Sequence, residues 1–191
     1  MRIVSGKFRG KALIAPEGRD TRPTSDRARQ AVFNILEHAA FAPGLDGARV
    51  IDLFAGSGAL GLEALSRGAA FCLFVETDER ARGAIRDNVE AMGQFGVTRI
   101  HRRDATDLGQ RPSSAGAPFD LAFLDPPYHQ GLAERALAGL AGGGWLADDA
   151  LCVVERGTDE PPLAADGFEV IEDRVYGAAR VSFVRRGQRL A

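Results

Sequence analysis

One stretch limits what this chain can fold into more than any other: residues 49–76, where a glycine-rich turn and a helix separate two apolar runs. Arg49-Val50-Ile51-Asp52-Leu53-Phe54 reads as a buried strand, Leu60–Ser66 as a helix, and Phe71-Cys72-Leu73-Phe74-Val75-Glu76 as a second strand. Between strand and helix, Gly56, Gly58 and Gly61 satisfy G-x-G-x-x-G, with Glu76 twenty positions after Gly56. In such a unit the glycines make a tight turn, admit a ligand close to the backbone and let helix pack on strand, while the acid meets ribose hydroxyls. The unit predicts a parallel α/β sheet that holds an adenosine-bearing ligand at its strand ends.

The rest of the chain extends that pattern. A longer helix is expected over 79–92, a short third strand over 98–102, and a surface loop over 109–118. Phe119–Leu124 is the fourth strand, Leu132–Leu140 a helix closed by Gly142-Gly143-Gly144, and Leu151–Glu155 the fifth strand. Residues 168–175 and 180–185 alternate with period 2, as in a hairpin turning near Gly177. The fold class is therefore α/β and Rossmann-like, a seven-stranded, mostly parallel sheet finished by an antiparallel edge hairpin.

Residues 1–44 stand apart as a small basic β/α extension preceding the main domain of residues 45–191. Arg2–Val4 and Ala12–Ile14 flank a glycine-rich turn, and Thr24 or Ser25 caps a helix expected to bury Ala28, Ala31, Val32, Ile35, Leu36 and Ala39. Residues 1–30 hold eight Lys/Arg against three acids, a net +5; the whole chain is −2, so the remainder carries −7. A basic segment on an acidic body is a phosphate-binding footprint, with a solvated charged surface as the plainer alternative.

The strand ends carry the chemistry. Asp52 directly precedes the glycine turn, where a carboxylate suits a ligand with an ammonium group, such as the methionine end of S-adenosylmethionine, and would be awkward beside a pyrophosphate. Phe54 and Ser57 belong to the same turn, and Asp104-Ala105, after the third strand, would place a carboxylate near an adenine amine. Asp125-Pro126-Pro127-Tyr128 follows the fourth strand. Two prolines hold the chain extended and fix the preceding carbonyls. The Asp125 side chain and one of those carbonyls can then accept both hydrogens of a base amine. That orients its delocalised lone pair for attack on a methyl group. Tyr128 offers a ring for an unstacked base.

With these motifs the chain resembles the class I methyltransferases of exocyclic amines, marked by D-x-F-x-G-x-G and D/N-P-P-Y/F. The head narrows the resemblance. Arg2-Ile3-Val4-Ser5-Gly6, Arg9-Gly10-Lys11, Arg22-Pro23-Thr24, Arg29 and Phe33-Asn34, together with Asp52–Gly68 and Gly144-Trp145-Leu146, are similar to the bacterial 16S ribosomal RNA guanine-N2 methyltransferase family. The resemblance implies S-adenosylmethionine as cofactor, held by Asp52, Phe54, Gly56, Ser57, Gly58, Glu76, Asp104 and Ala105. It implies that Asp125–Tyr128 hold the target base and that Arg2, Lys7, Arg9, Lys11, Arg22 and Arg29 contact RNA. It further implies a monomer acting on a guanine of 16S RNA within the small subunit. Gln30 departs from the family, which often has an acid there, and puts one helix contact in question.

Two other readings share these residues: a DNA adenine-N6 methyltransferase, and a non-catalytic S-adenosylmethionine- or RNA-binding assembly factor. An NAD-dependent oxidoreductase fits the glycines but leaves Asp125–Tyr128 unexplained. His38, His101 and His129 show no metal-ligand spacing, so no metal is expected. Cys72 and Cys152 fall inside apolar runs and read as packed free thiols. No apolar run approaches the roughly 18–20 residues of a membrane span, and no apolar segment follows the charged start, so no membrane contact and a cytoplasmic location are expected.

Overall fold

The computed structural model describes residues 1–16 and 26–187. Thr24, Ser25 and the proposed RNA contact Arg22 lie outside the described residues. The elements run α1 (Asp26–His38), β1 (Arg49–Leu53), α2 (Ala59–Ser66), β2 (Phe71–Val75), α3 (Glu79–Ala91), β3 (Thr98–His101), β4 (Phe119–Leu124), α4 (Leu132–Gly142), β5 (Leu146–Gly157), β6 (Phe168–Tyr176) and β7 (Ala179–Arg186). The strands form one sheet in the order β3-β2-β1-β4-β5-β7-β6. It is parallel from β3 to β5 and antiparallel across β5-β7-β6. This is the Rossmann-like sheet with an edge hairpin that the sequence predicts.

Period-2 alternation divides the sheet's side chains between two cores. Val50, Cys72, Phe74, Leu121, Phe123 and Val153 face α1, α2 and α3. Ile51, Leu73, Val75, Ala122, Cys152 and Val154 face α4, Leu108 and Trp145. Trp145 is buried because its ring stacks on Phe119 at 6.3 Å and its indole N–H reaches the Gly109 carbonyl at 2.8 Å. Both cysteines are buried and free, on opposite faces. Strand β5 begins at Leu146, five residues earlier than its apolar run suggests, because Leu146 pairs with Phe119 ahead of a register irregularity. The hairpin turns through Gly177 (φ 62°) between the paired Tyr176 and Ala179. A second irregularity, between Val170 and Glu172, interrupts the pairing of β6 with β7.

The first 16 residues are bound to the main body by specific polar contacts. Arg2 and Ala12 form an antiparallel bridge, and Ile3 and Leu13 enter the same core as the sheet. Glu63 on α2 is fully buried and accepts the amides of Val4 at 2.8 Å and Ser5 at 3.0 Å. Ser66 accepts the Phe8 amide through its hydroxyl and the Lys7 amide through its carbonyl. Gly6 sits at φ 79°, where a Cβ would lie 2.0 Å from the Ser66 carbonyl oxygen. Only glycine therefore allows this approach. Asn88 on α3 donates to the carbonyls of Ile14 and Ser57 and accepts the Ile14 amide, so one buried amide joins the head to the glycine turn.

Helix α1 buries Ala28, Val32 and Leu36 as expected; Phe33, which the expected stripe left out, is also fully buried, while Ala31, Ile35 and Ala39 are half-buried. Arg29 also differs from expectation. Its side chain is 2% exposed and bonded to Asp26 and Glu63, so it cannot present charge to a phosphate as placed. It sits on the buried stripe of α1, where the counter-charge of Glu63 compensates its desolvation. Gln30 accepts from Arg67 through its amide oxygen at 3.2 Å.

Candidate active site

Strand order reverses between β1 and β4, and in open sheets the ligand crevice lies outside the strand ends at that point. A cleft of about 710 Å3 occupies it. That volume lies within the range of small-molecule and cofactor sites. Its lining brings together Asp52, Phe54, Gly56, Ser57, Glu76, Asp104, Ala105 and the whole of Asp125–Tyr128. Residues separated by more than seventy positions thus converge because each stands at or just beyond a parallel strand's carboxyl end. Gly58 does not line the cleft; it starts α2 at φ 77°, with the site of a Cβ 3.1 Å from the Phe74 ring. A Cβ on Gly61 would lie 2.5 Å from Cys72 Sγ and from Phe74 Cε1, so this glycine sets helix-to-strand packing.

The turn from β1 into α2 is held by two carboxylates. Asp52 is buried and accepts the Gly61 amide at 3.0 Å. Glu76 accepts the amides of Gly56 and Asp78, each at 2.9 Å, tying the turn to the end of β2. Phe54 takes φ 57°, a left-handed conformation unusual for a bulky residue and common where a site over-determines the backbone. Burial pushes the Asp52 carboxyl up to about 8, against the Gly61 N–H, which favours the ionised form; the charge of Glu76 adds to the rise. Asp104 is exposed at the cleft's rim, and the amide and hydroxyl of Thr106 hold its carboxyl below the usual range.

On the other side of the cleft, Pro126 is buried and Asp125 half-buried. Burial, then the charges of Glu155 and Asp52, hold the Asp125 carboxyl well above the usual range. His129, directly after the motif, takes φ 62°. Tyr128 donates its hydroxyl to Glu155 Oε1 at 2.9 Å. Glu155 is the site residue that sequence reasoning missed. It follows the apolar run Leu151–Val154 just as Asp52, Glu76 and Asp125 stand at or after theirs, and an acid at a buried strand's end was the signal. Arg103, His129 and Leu132 also line the cleft. Arg2, Lys7, Arg9 and Lys11 do not; they are exposed on the head. Among the described residues no cluster of His, Cys, Asp and Glu could hold a metal, and no helix is long and apolar enough to cross a membrane.

The arrangement is an acidic cleft, with a backbone turn suited to a nucleoside on one side and a rigid amine acceptor on the other. A family model described as conserved hypothetical protein 95 matches residues 1–185. The chain is 39% identical over 187 residues to the ribosomal RNA small subunit methyltransferase D of Escherichia coli (strain K12), covering 97% of this chain and 90% of that protein. It is 32% identical over 178 residues to the Haemophilus influenzae protein of the same name, covering 93% and 89%. Its fold is similar to the solved structure of Escherichia coli yhhF, with TM-score 0.80, 33% identity and 98% of each chain covered.

Proposed function

This chain belongs to the conserved hypothetical protein 95 family, and from that premise we propose that it transfers a methyl group from S-adenosylmethionine to the exocyclic N2 amine of a guanine in 16S ribosomal RNA. One observation carries the reading: Asp125–Tyr128 line the same cleft as the glycine turn. The names of the relatives support the RNA, and a cleft wall carrying Asp52 and Glu76 suits a cofactor with an ammonium group and ribose hydroxyls.

The cofactor's sulfonium supplies the methyl group. Asp52 would hold the ammonium, and that cation would restore the charge which burial suppresses. Glu76 holds the glycine turn by its Gly56 and Asp78 bonds and would receive the ribose hydroxyls. Asp104 and Ala105 would border the adenine. The Asp125 carboxylate and the Pro126 carbonyl take the two amine hydrogens and aim the nitrogen lone pair across the cleft, while Tyr128 stacks on the base. Orientation and preorganised charge do most of the work: the N–CH3 bond would form as the S–CH3 bond breaks, the neutral thioether S-adenosylhomocysteine would leave, and the surplus amine proton would pass to solvent. The proposed substrate is one guanine presented in the small subunit, the enzyme acts as a monomer, and the cytoplasm is where it meets that subunit.

The test is transfer of labelled methyl to three acceptors: small subunits lacking the modification, the RNA extracted from them, and unmethylated DNA. N2-methylguanine in ribosomal RNA is the expected product. N6-methyladenine in DNA, or cofactor binding without transfer, would overturn the reading.

The exposed cations of the head, residues 1–44, supply the RNA contact in this proposal. Replacing Arg9 and Lys11 by Gln is expected to weaken RNA binding and to lower the slope of log affinity against log salt by about 1.5–2 for two phosphate contacts. Filter binding across a salt series checks it, and an unchanged slope would remove these residues from the interface.

A further inference from the structure

Glu155 is not explained by anything in the methyl-transfer chemistry above. The last paired positions of β4 and β5 are Leu124 and Val154, so Asp125 and Glu155 are the next residues on two adjacent parallel strands. Such strands run about 4.8 Å apart. Both residues line the cleft. Glu155 is oriented by the Tyr128 hydroxyl at 2.9 Å, so the residue offered for stacking on the base also fixes this carboxylate.

We propose that Glu155 selects guanine by accepting the N1–H of the base whose N2 amine is held by Asp125 and Pro126. The inference rests on the methyltransferase reading above and deepens it. On the Watson–Crick edge of guanine the N2 amine and N1–H are neighbouring donors, and two acids side by side just past the last β4–β5 pair match them. Adenine offers an amine beside an N1 lone pair, which would face the carboxylate. A site built to accept a hydrogen bond rejects the base that lacks the donor, since a carboxylate would be desolvated against a lone pair. Burial and then the charge of Glu155 raise the Asp125 carboxyl, which agrees with the two groups sharing one microenvironment.

The experiment replaces the mapped target guanine in small-subunit RNA by 2-aminopurine, which keeps the N2 amine but has a lone pair at N1 and no O6. Wild-type protein is expected to prefer guanine in kcat/KM by roughly 10–100-fold, the effect of one buried acceptor left unmet. Glu155→Gln, whose amide can donate to N1, is expected to narrow that preference below about fivefold, with S-adenosylmethionine affinity and melting temperature near wild type. The ratio between the two RNAs cancels effects common to both bases, such as looser folding. Methylation of 2-aminopurine by wild-type protein as fast as guanine would overturn the proposal without needing any variant. So would a Gln variant that slows equally on both RNAs, which would leave Glu155 only a support for Tyr128. Absence of N2-methylguanine from the wild-type reaction on guanine RNA would instead overturn the underlying function.

Discussion

Asp125→Ala is expected to lower the rate of methyl transfer by about 10³-fold or more while changing S-adenosylmethionine affinity by less than about threefold. The asymmetry follows from position. Asp125 follows β4, across the cleft from the glycine turn that Asp52 and Glu76 hold together. Its removal deletes an amine acceptor and leaves those two carboxylates untouched. Because burial disfavours its ionised form, the Ala variant should fold with little loss of stability. Asp125→Asn keeps one acceptor oxygen and should retain more activity than Ala. Single-turnover kinetics and calorimetric cofactor titration separate the two effects. Equal losses in rate and affinity would make Asp125 a support for the cofactor pocket rather than an acceptor of the amine.

The largest stability effect is expected at Glu63, far from any reacting atom. This carboxylate is fully buried, pairs with Arg67 at 2.8 Å and Arg29 at 3.7 Å, and accepts the Val4 and Ser5 amides. Glu63→Ala would leave two arginines buried with less counter-charge and two amides unpaired. Removing one partner of such a group costs about 3–5 kcal/mol. For a domain of this size that lowers the melting temperature by about 10 °C. Thermal denaturation measures the loss, and limited proteolysis should show earlier cleavage within the first 16 residues. A shift under about 2 °C would show that the head is held by Ile3, Leu13 and Ser66 without it.

The glycine turn and the Asp125–Tyr128 motif were legible in sequence because each couples a rare local pattern to a buried strand, and strand ends locate ligands in this architecture. The apolar runs likewise predict the succession of strands and helices along the chain, since burial on both faces of a parallel sheet leaves near-continuous apolar runs. What escaped was set by contacts between distant segments. Arg29 looks like any other cation of the basic head, and only the packing of α1 against α2 brings Glu63 beneath it. Glu63 itself sits in the middle of an apolar helix, and the two amides it accepts, of Val4 and Ser5, are about sixty residues upstream. Glu155 carried a usable signal, an acid closing an apolar run, but its bond to Tyr128 depends on the register of β4 against β5.

Strand β6 shows how an open sheet can guard its own margin. Among the described residues it is paired on one side only, by β7, which leaves its other side open to template a foreign strand. The irregularity between Val170 and Glu172 breaks its straight run of pairing sites. Glu169, Glu172, Asp173 and Arg174 would place charge against any chain attempting to align there. The same hairpin that completes the fold therefore also works as a gatekeeper against edge-to-edge aggregation, which lets the molecule end its sheet in solvent without a capping partner.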